Sequence, residues 1–430
     1  MIESNLKTSF LNTIIKGSFT TICLRILMIF SGYIFLYVLS NNYGISEVGN
    51  FTLIQAILFT ISTISVLGLD TLSVKLVPIN ENNLKFLYFR IILNIFPIAL
   101  FFSFLLFYLS DNIALFFDKK ILNDYLRILS FSIIPLSIIN INCEFFRGKK
   151  NMFFYSLYNR GSILMFLLVI IHIFSINKSN NQTLIYMYYF YAIVILALIS
   201  TIHLFSKYLI YTNSRKIKNI PSKNLISFES RNMLIINIIF ISFQFVDVIL
   251  LGILSSSYNV GIYTILLKIS SITSLVLLGV NSISGPIISK LYNSNKISEL
   301  DYYIRLIVRM SSFISLPILF IIILFSNYIL TNFGDNLLFY KNALYILCLA
   351  QFINVLSGSV GLIMQMTGYE KIFRNIILFS IFINIILSFI FIPKYQVLGA
   401  VYSSSISLIL WNVLSIIYVK KKINIYSFFR

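Results

Sequence analysis

Two ionisable side chains stand in stretches too apolar to hold them idle. Asp247 interrupts the run that leads to Leu254, and Lys268 interrupts the run that follows Asn259. Only the polar patch Ser255–Asn259 between them suits a turn in water, so the two runs read as the arms of a membrane hairpin. At about 1.5 Å per helical residue, Asp247 lies about 12 Å below that turn and Lys268 about 15 Å below it. Both depths fall inside a hydrocarbon layer about 30 Å thick. An ionisable group held there costs a few kcal/mol or more unless it meets a partner, a wet cavity or a ligand. A desolvated ammonium suits an anion, above all a phosphate. The other reading is structural: Asp247 and Lys268, at similar depth on adjacent arms, form an ion pair. Asp247 is thus an ion-pair or coupling candidate, and the two roles of Lys268 are compatible.

Two further cations sit away from helix ends. Arg25 is about 13 Å past Lys16 by helical rise, and Arg160 a similar distance past Lys150, beside the small Gly161. Each is a candidate for anion binding, and each has a long stem that can carry its charge back to the interface. Lys268, Arg25 and Arg160 are therefore the substrate-binding candidates. Asn140, Asn142, Gln244, Asn281, Asn354 and Asn384 also lie in apolar runs, where amides commonly bond across helices. His172 and His203 are isolated. Cys23, Cys143 and Cys348 lie in apolar runs, and neither a disulfide framework nor a metal spacing can be built from them. No catalytic constellation, metal site or phosphate-cradling glycine loop is present, so no cofactor is expected; coupling to an H+ or Na+ gradient stays open.

The elements that position these residues follow from composition. The chain has 430 residues, 58% hydrophobic and 11% charged, far too little charge to cover a soluble surface of that size. Glycine and proline are sparse, which favours long helices over the short alternating segments of a barrel. Twelve apolar segments run approximately 17–40, 47–68, 86–109, 122–143, 152–175, 183–206, 232–254, 259–283, 303–325, 338–362, 372–393 and 397–419. Each is long enough to span a bilayer. The first lacks a small-residue cleavage site and reads as an uncleaved helix. The polar connection 207–230 is the natural joint between an N-terminal lobe, 1–206, and a C-terminal lobe, 231–430.

The expected architecture is an all-α polytopic membrane protein with two parallel six-helix repeats around a central cleft. Its basis is internal repetition. Val260-Gly261-Ile262-Tyr263-Thr264 echoes Val48-Gly49-Asn50-Phe51-Thr52, 212 positions earlier. Arg147-Gly148-Lys149-Lys150 after the fourth segment likewise finds Thr367-Gly368-Tyr369-Glu370-Lys371 after the tenth. Placing both termini in the cytoplasm puts 25 of the 33 Lys and Arg on the inner side and 6 on the outer, a strong positive-inside bias. That bias also accounts for the net charge of +19 by topology, with no need for a nucleic-acid partner.

These residues also resemble a family. Asp247 with Leu251-Gly252 and Val260-Gly261-Ile262-Tyr263 is similar to the polysaccharide-biosynthesis flippases of the multidrug/oligosaccharidyl-lipid/polysaccharide superfamily. So are Gln365-Met366-Thr367-Gly368-Tyr369-Glu370-Lys371, Leu398-Gly399-Ala400-Val401 following Asn384 and Pro393, and the turn from Tyr43-Gly44 to Val48-Gly49. The resemblance covers essentially the whole chain and implies a Wzx-type flippase for O-antigen or capsule. Such proteins move an undecaprenyl-pyrophosphate-linked oligosaccharide repeat unit from the cytoplasmic to the periplasmic side of the bacterial inner membrane by alternating access. The implied partners are that glycan, membrane lipids, and the polymerase and chain-length proteins of the same pathway.

Two alternatives belong to other classes. A multidrug or cation antiporter of the same fold needs a carboxylate proton or sodium site deep in one half, and the N-terminal half offers no carboxylate deep in a helix. A membrane enzyme such as an O-antigen polymerase needs a large outer loop or paired catalytic groups, and neither is evident. The expected function is therefore transport, without a chemical step.

Overall fold

We describe a computed structural model of the chain, covering residues 2–173, 182–210 and 228–429. Most of the expected joint at 207–230, namely 211–227, lies outside the described residues. Among the described residues there is no strand. Eleven helices among these residues are long and apolar enough to cross a membrane. The twelfth expected segment, the fifth in order, is broken into Met152–Leu157, a tight turn at Arg160–Ser162, and Ile163–Ile173.

The first helix is Ile2–Tyr43 and the second Ile45–Ser65, which stops at two left-handed residues, Leu67 and Gly68, and resumes as Leu69–Ile79. The third is Leu84–Phe116. The fourth joins Ile121–Leu129 to Ile133–Gly148, and the sixth is Thr183–Leu204 with a π-helical end at Phe205–Leu209. The seventh is Phe228–Leu254. The eighth joins Ser257–Ser271 to Leu275–Asn293, and the ninth is Ile297–Leu324. The tenth runs Lys341–Ser357, breaks, and continues as Val360–Met366; the eleventh is Glu370–Tyr395 and the twelfth Val397–Ile423.

The chain forms two compact units. One comprises Leu27–Val38 and Asn50–Phe245, the other Met1–Ile26, Leu39–Gly49 and Val246–Arg430. The change of unit falls inside the first, second and seventh helices.

The first unit is held by polar contacts between helices and by aromatic packing, as expected where lipid gives helices little hydrophobic reason to associate. Asn142 donates to Ser200 at 2.8 Å and Thr201 at 2.9 Å and accepts from the Tyr88 hydroxyl at 2.9 Å. The Ser65 and Ser137 hydroxyls bond at 2.7 Å, and the Tyr125 and Tyr186 rings stack at 3.7 Å.

In the second unit the eleventh and twelfth helices pack closely: a Cβ at Gly399 would strike the Phe391 carbonyl. Ser388 donates to Ser403 at 2.9 Å, and Ser407 to the Ser380 carbonyl at 2.8 Å. The tightest crossing joins the second helix to the eighth. A Cβ on Gly49 would strike the carbonyl of Ser257, and one on Gly261 would strike the carbonyl of Ile45. The contact is reciprocal, since Ser257 and Gly261 each lie 212 positions after Ile45 and Gly49. The echoed glycines thus meet one another's segments.

The other repeated motif is also matched in backbone form. After the fourth helix, Lys150 turns left-handed and Asn151 N–H reaches the Phe146 carbonyl at 2.9 Å. After the tenth, Gly368 turns left-handed and Tyr369 N–H reaches the Met364 carbonyl at 2.9 Å. Both are caps that satisfy carbonyls orphaned at a helix end.

Candidate functional site

Three of the four expected site residues lie in the unit that includes the C-terminal half. The hairpin turn is built as the sequence suggests. Ser256 caps the eighth helix by accepting from Asn259 N–H at 3.4 Å, and the Asn259 amide donates to Ser255 at 2.7 Å and Gln396 at 3.2 Å. On one arm Asp247 is 9% exposed, and the side chains that face it are those of Asn384 and Tyr263. Tyr263 is fully buried and also faces Ser404. Asn384 accepts from Ser388 at 3.0 Å, which continues the polar line to Ser403. The Asp247 Oδ1 atom itself has no hydrogen-bond partner among the described residues.

No ion pair joins Asp247 to Lys268. Lys268 is half-buried on the other arm, and its ammonium meets no hydrogen-bond acceptor among the described residues. The pairing inferred from equal depth fails because depth fixes a residue's level but not the direction its side chain takes around the helix. Arg25, half-buried on the first helix, donates from Nη1 to the Leu278 carbonyl on the eighth at 3.2 Å. That carbonyl is ten residues beyond Lys268, or roughly 15 Å along the helix. Arg25 and Lys268 therefore attach to the same helix without converging on one point.

Arg160 belongs to the other unit and bonds through all three of its guanidinium nitrogens. Its Nε donates to Asn140 at 2.8 Å, Nη2 to Ser62 at 3.3 Å and Thr63 at 2.9 Å, and Nη1 to the Phe59 carbonyl at 3.5 Å. Its guanidinium also lies 5.0 Å from the Phe59 ring centre. The break at Asn159, whose backbone is extended, places Arg160 at the start of a new turn, so counting helical rise from Lys150 does not give its depth. The fork is fastened by neutral acceptors, with Asp70 close enough to act on it electrostatically.

Asp70 was not expected. It follows the Leu67–Gly68 break, in the first turn of Leu69–Ile79. Its Oδ1 accepts from Thr71 N–H at 2.7 Å and from the Asn237 amide at 3.1 Å, and its Oδ2 from the same amide at 3.3 Å. A Cβ on Gly68 would press on the backbone of Ser230 and Leu234 in the seventh helix. Asp70 thus gives the N-terminal half a half-buried carboxylate, in the first turn of a helix and not deep within one. The signal was available: Leu69, Leu72, Ser73 and Val77 recur at helical spacing after Gly68 and are all buried, with Asp70 off that face.

Comparison with known proteins agrees with this architecture. Residues 14–292 match the polysaccharide biosynthesis protein family, and residues 233–390 match the MatE family. The chain belongs to the polysaccharide biosynthesis protein family. Over 179 residues it is 25% identical to the probable flippase AglR of Haloferax volcanii, a match that spans 41% of the chain and 37% of that relative's length. Among solved structures, the lipid II flippase MurJ in an inward closed conformation superposes with a TM-score of 0.71 at 16% identity, covering 94% of this chain and 87% of MurJ. The multidrug transporter DinF-BH superposes with a TM-score of 0.69 at 17% identity, covering 98% and 96%. These likenesses establish an all-α membrane fold of twelve segments in two repeats.

Proposed function

We propose that the protein is a flippase that carries an undecaprenyl-pyrophosphate-linked oligosaccharide, an O-antigen or capsular repeat unit, from the cytoplasmic to the periplasmic face of a bacterial inner membrane. The observation that carries this reading is Lys268: a half-buried ammonium in the last turn of Ser257–Ser271, with no acceptor of its own among the described residues. Such a group is stabilised by an arriving anion, and a pyrophosphate supplies several negative oxygens. Arg25, on the first helix and bonded to the Leu278 carbonyl of the eighth, is a second contact for the headgroup as it moves. Arg160, already fastened by Asn140, Ser62, Thr63 and Phe59, serves to hold its own unit together and keeps one N–H for a ligand.

Asp247 is the coupling residue in this reading. A carboxylate oxygen without a partner, among a tyrosine hydroxyl, an amide and serines, suits a proton or a sodium ion. Both termini lie on the cytoplasmic side, and no chemical step is involved. Polymerase and chain-length proteins of the same pathway take up the product.

A multidrug antiporter is the second reading, favoured by one observation, the Asp70 carboxylate in the N-terminal half. Reconstitution into liposomes separates the two. The flippase reading expects protein-dependent movement of a fluorescent undecaprenyl-pyrophosphate-linked oligosaccharide, reduced at least about tenfold by Lys268→Gln. Movement of a lipophilic cation dye without movement of the lipid-linked glycan would overturn it.

A further inference from the structure

The residues that follow the twelfth helix are docked. Ile423, Ile425 and Ser427 are buried, while Asn424, Tyr426 and Phe428 are exposed. That alternation is the mark of an extended segment with one side inward. Tyr426 N–H donates to Asp301 Oδ1 on the ninth helix at 3.3 Å, and the Lys420 ammonium sits 4.9 Å from the Tyr426 ring centre. The Phe429 ring lies 6.2 Å from that of Phe313, also on the ninth helix.

The segment ends at the break in the tenth helix. There Gly358 takes a left-handed φ of 68°, a conformation glycine adopts without strain. A broken helix leaves carbonyls without their usual donors four residues on. The Leu356 carbonyl is one of them, and it accepts the Phe429 N–H at 3.1 Å. A Cβ at Gly358 would collide with Val308 and lie 3.1 Å from the Ser427 carbonyl oxygen. Next to it, Ser359 donates to Asn281 on the eighth helix. The break is thus held by the eighth helix through Asn281 and by the terminal segment through Phe429.

We propose that Asn424–Phe429 is a removable brace that holds the break in the tenth helix in one arrangement, and that releasing it lets this helix open locally around Gly358. The brace reaches the break through the Phe429 N–H and the ninth helix through the Tyr426 N–H and the Phe429 ring, so it can let go while the helices stay packed. It also faces the side on which substrate is expected to enter, where a change in the tenth helix would matter to the transport cycle. The proposal concerns the chain's conformation and stands whatever the substrate is.

Hydrogen exchange on the full chain in lipid nanodiscs tests it, against a chain ending at Ile423 and a full-length Ser427→Glu variant. Ser427 is fully buried, so a carboxylate there expels the segment while leaving its length intact. In both variants the amides of 355–366 should exchange about tenfold faster, with the eleventh and twelfth helices unchanged, as expected for a local opening. Unchanged exchange in 355–366 would overturn the brace. So would acceleration spread evenly over the unit, which would make the segment a general stabiliser.

Discussion

Asp247 and Lys268 lie on adjacent arms of one hairpin and do not pair: the carboxylate faces Tyr263 and Asn384, and the ammonium faces no acceptor among the described residues. Asp247→Asn and Lys268→Gln should therefore act independently. In a double-mutant cycle read by thermal unfolding in detergent, the coupling should stay below about 0.5 kcal/mol. In a flippase-null strain checked for equal membrane levels, the double variant should fail to restore surface polysaccharide. Lys268→Arg should retain part of the activity, because the charge remains. Full restoration by the double variant would return the two residues to a purely structural role.

Arg160 is expected to tolerate no conservative exchange. Its fork reaches Asn140, Ser62, Thr63 and the Phe59 carbonyl together, and a lysine ammonium cannot span that set. Arg160→Lys should lower unfolding stability by about 2–4 kcal/mol, given charge-assisted bonds of about 1.5–3 kcal/mol each and partial recovery by solvent. A loss below about 0.5 kcal/mol would show that these bonds contribute little.

Asp70 and Asn237 should behave as one element. Removing either leaves the other with only its Thr71 contacts, so Asp70→Ala and Asn237→Ala should each cost about 1–3 kcal/mol. The double variant should cost clearly less than their sum. Strict additivity in the melting data would mean that the two amide–carboxylate contacts carry no coupling energy.

The glycine crossing gives a steric prediction with an internal control. Gly49→Ala or Gly261→Ala puts a methyl into a backbone carbonyl, and the helices must move apart at a cost of about 1–3 kcal/mol or more. Gly161→Ala, where the nearest atom to the new methyl is the Met28 sulfur at 3.7 Å, should fold normally. Equal expression and melting of all three would contradict the close approach.

The orientation is checked by labelling single cysteines in a cysteine-free background. Asn295, between the eighth and ninth helices, should react only with reagents that reach the cytoplasm. Asp335, between the ninth and tenth, should react with impermeant reagents from outside. The reverse pattern would invert the positive-inside assignment.

Apolar runs near bilayer length are legible because hydrocarbon demands them, and eleven of the twelve expected segments appear as long helices. The fifth was legible as apolar but not as broken, because nothing in its hydrophobicity marks the extended backbone at Asn159. The second was cut short at Gly68, since a glycine in a run reads as an end; the chain instead turns left-handed at Leu67 and Gly68 and resumes, carrying Asp70 with it. The placement of Asp247 and Lys268 on the two arms of the hairpin was readable, whereas their bearing around each helix was not. The amides could be flagged as polar contacts, but only packing reveals that Asn140 holds Arg160 and Asn384 faces Asp247.

The reciprocal contact of Gly49 with Ser257 and of Gly261 with Ile45 has a historical reading. When a surface meets its own copy about a two-fold axis, each residue contacts the counterpart of its own partner. A chain of half this length, pairing with a second copy of itself through that glycine, would have had the same crossing. In such a homodimer one substitution alters the contact twice. Duplication and fusion of such a chain would make the two glycines separate positions, free to drift apart, each resting on the carbonyl that its twin had supplied.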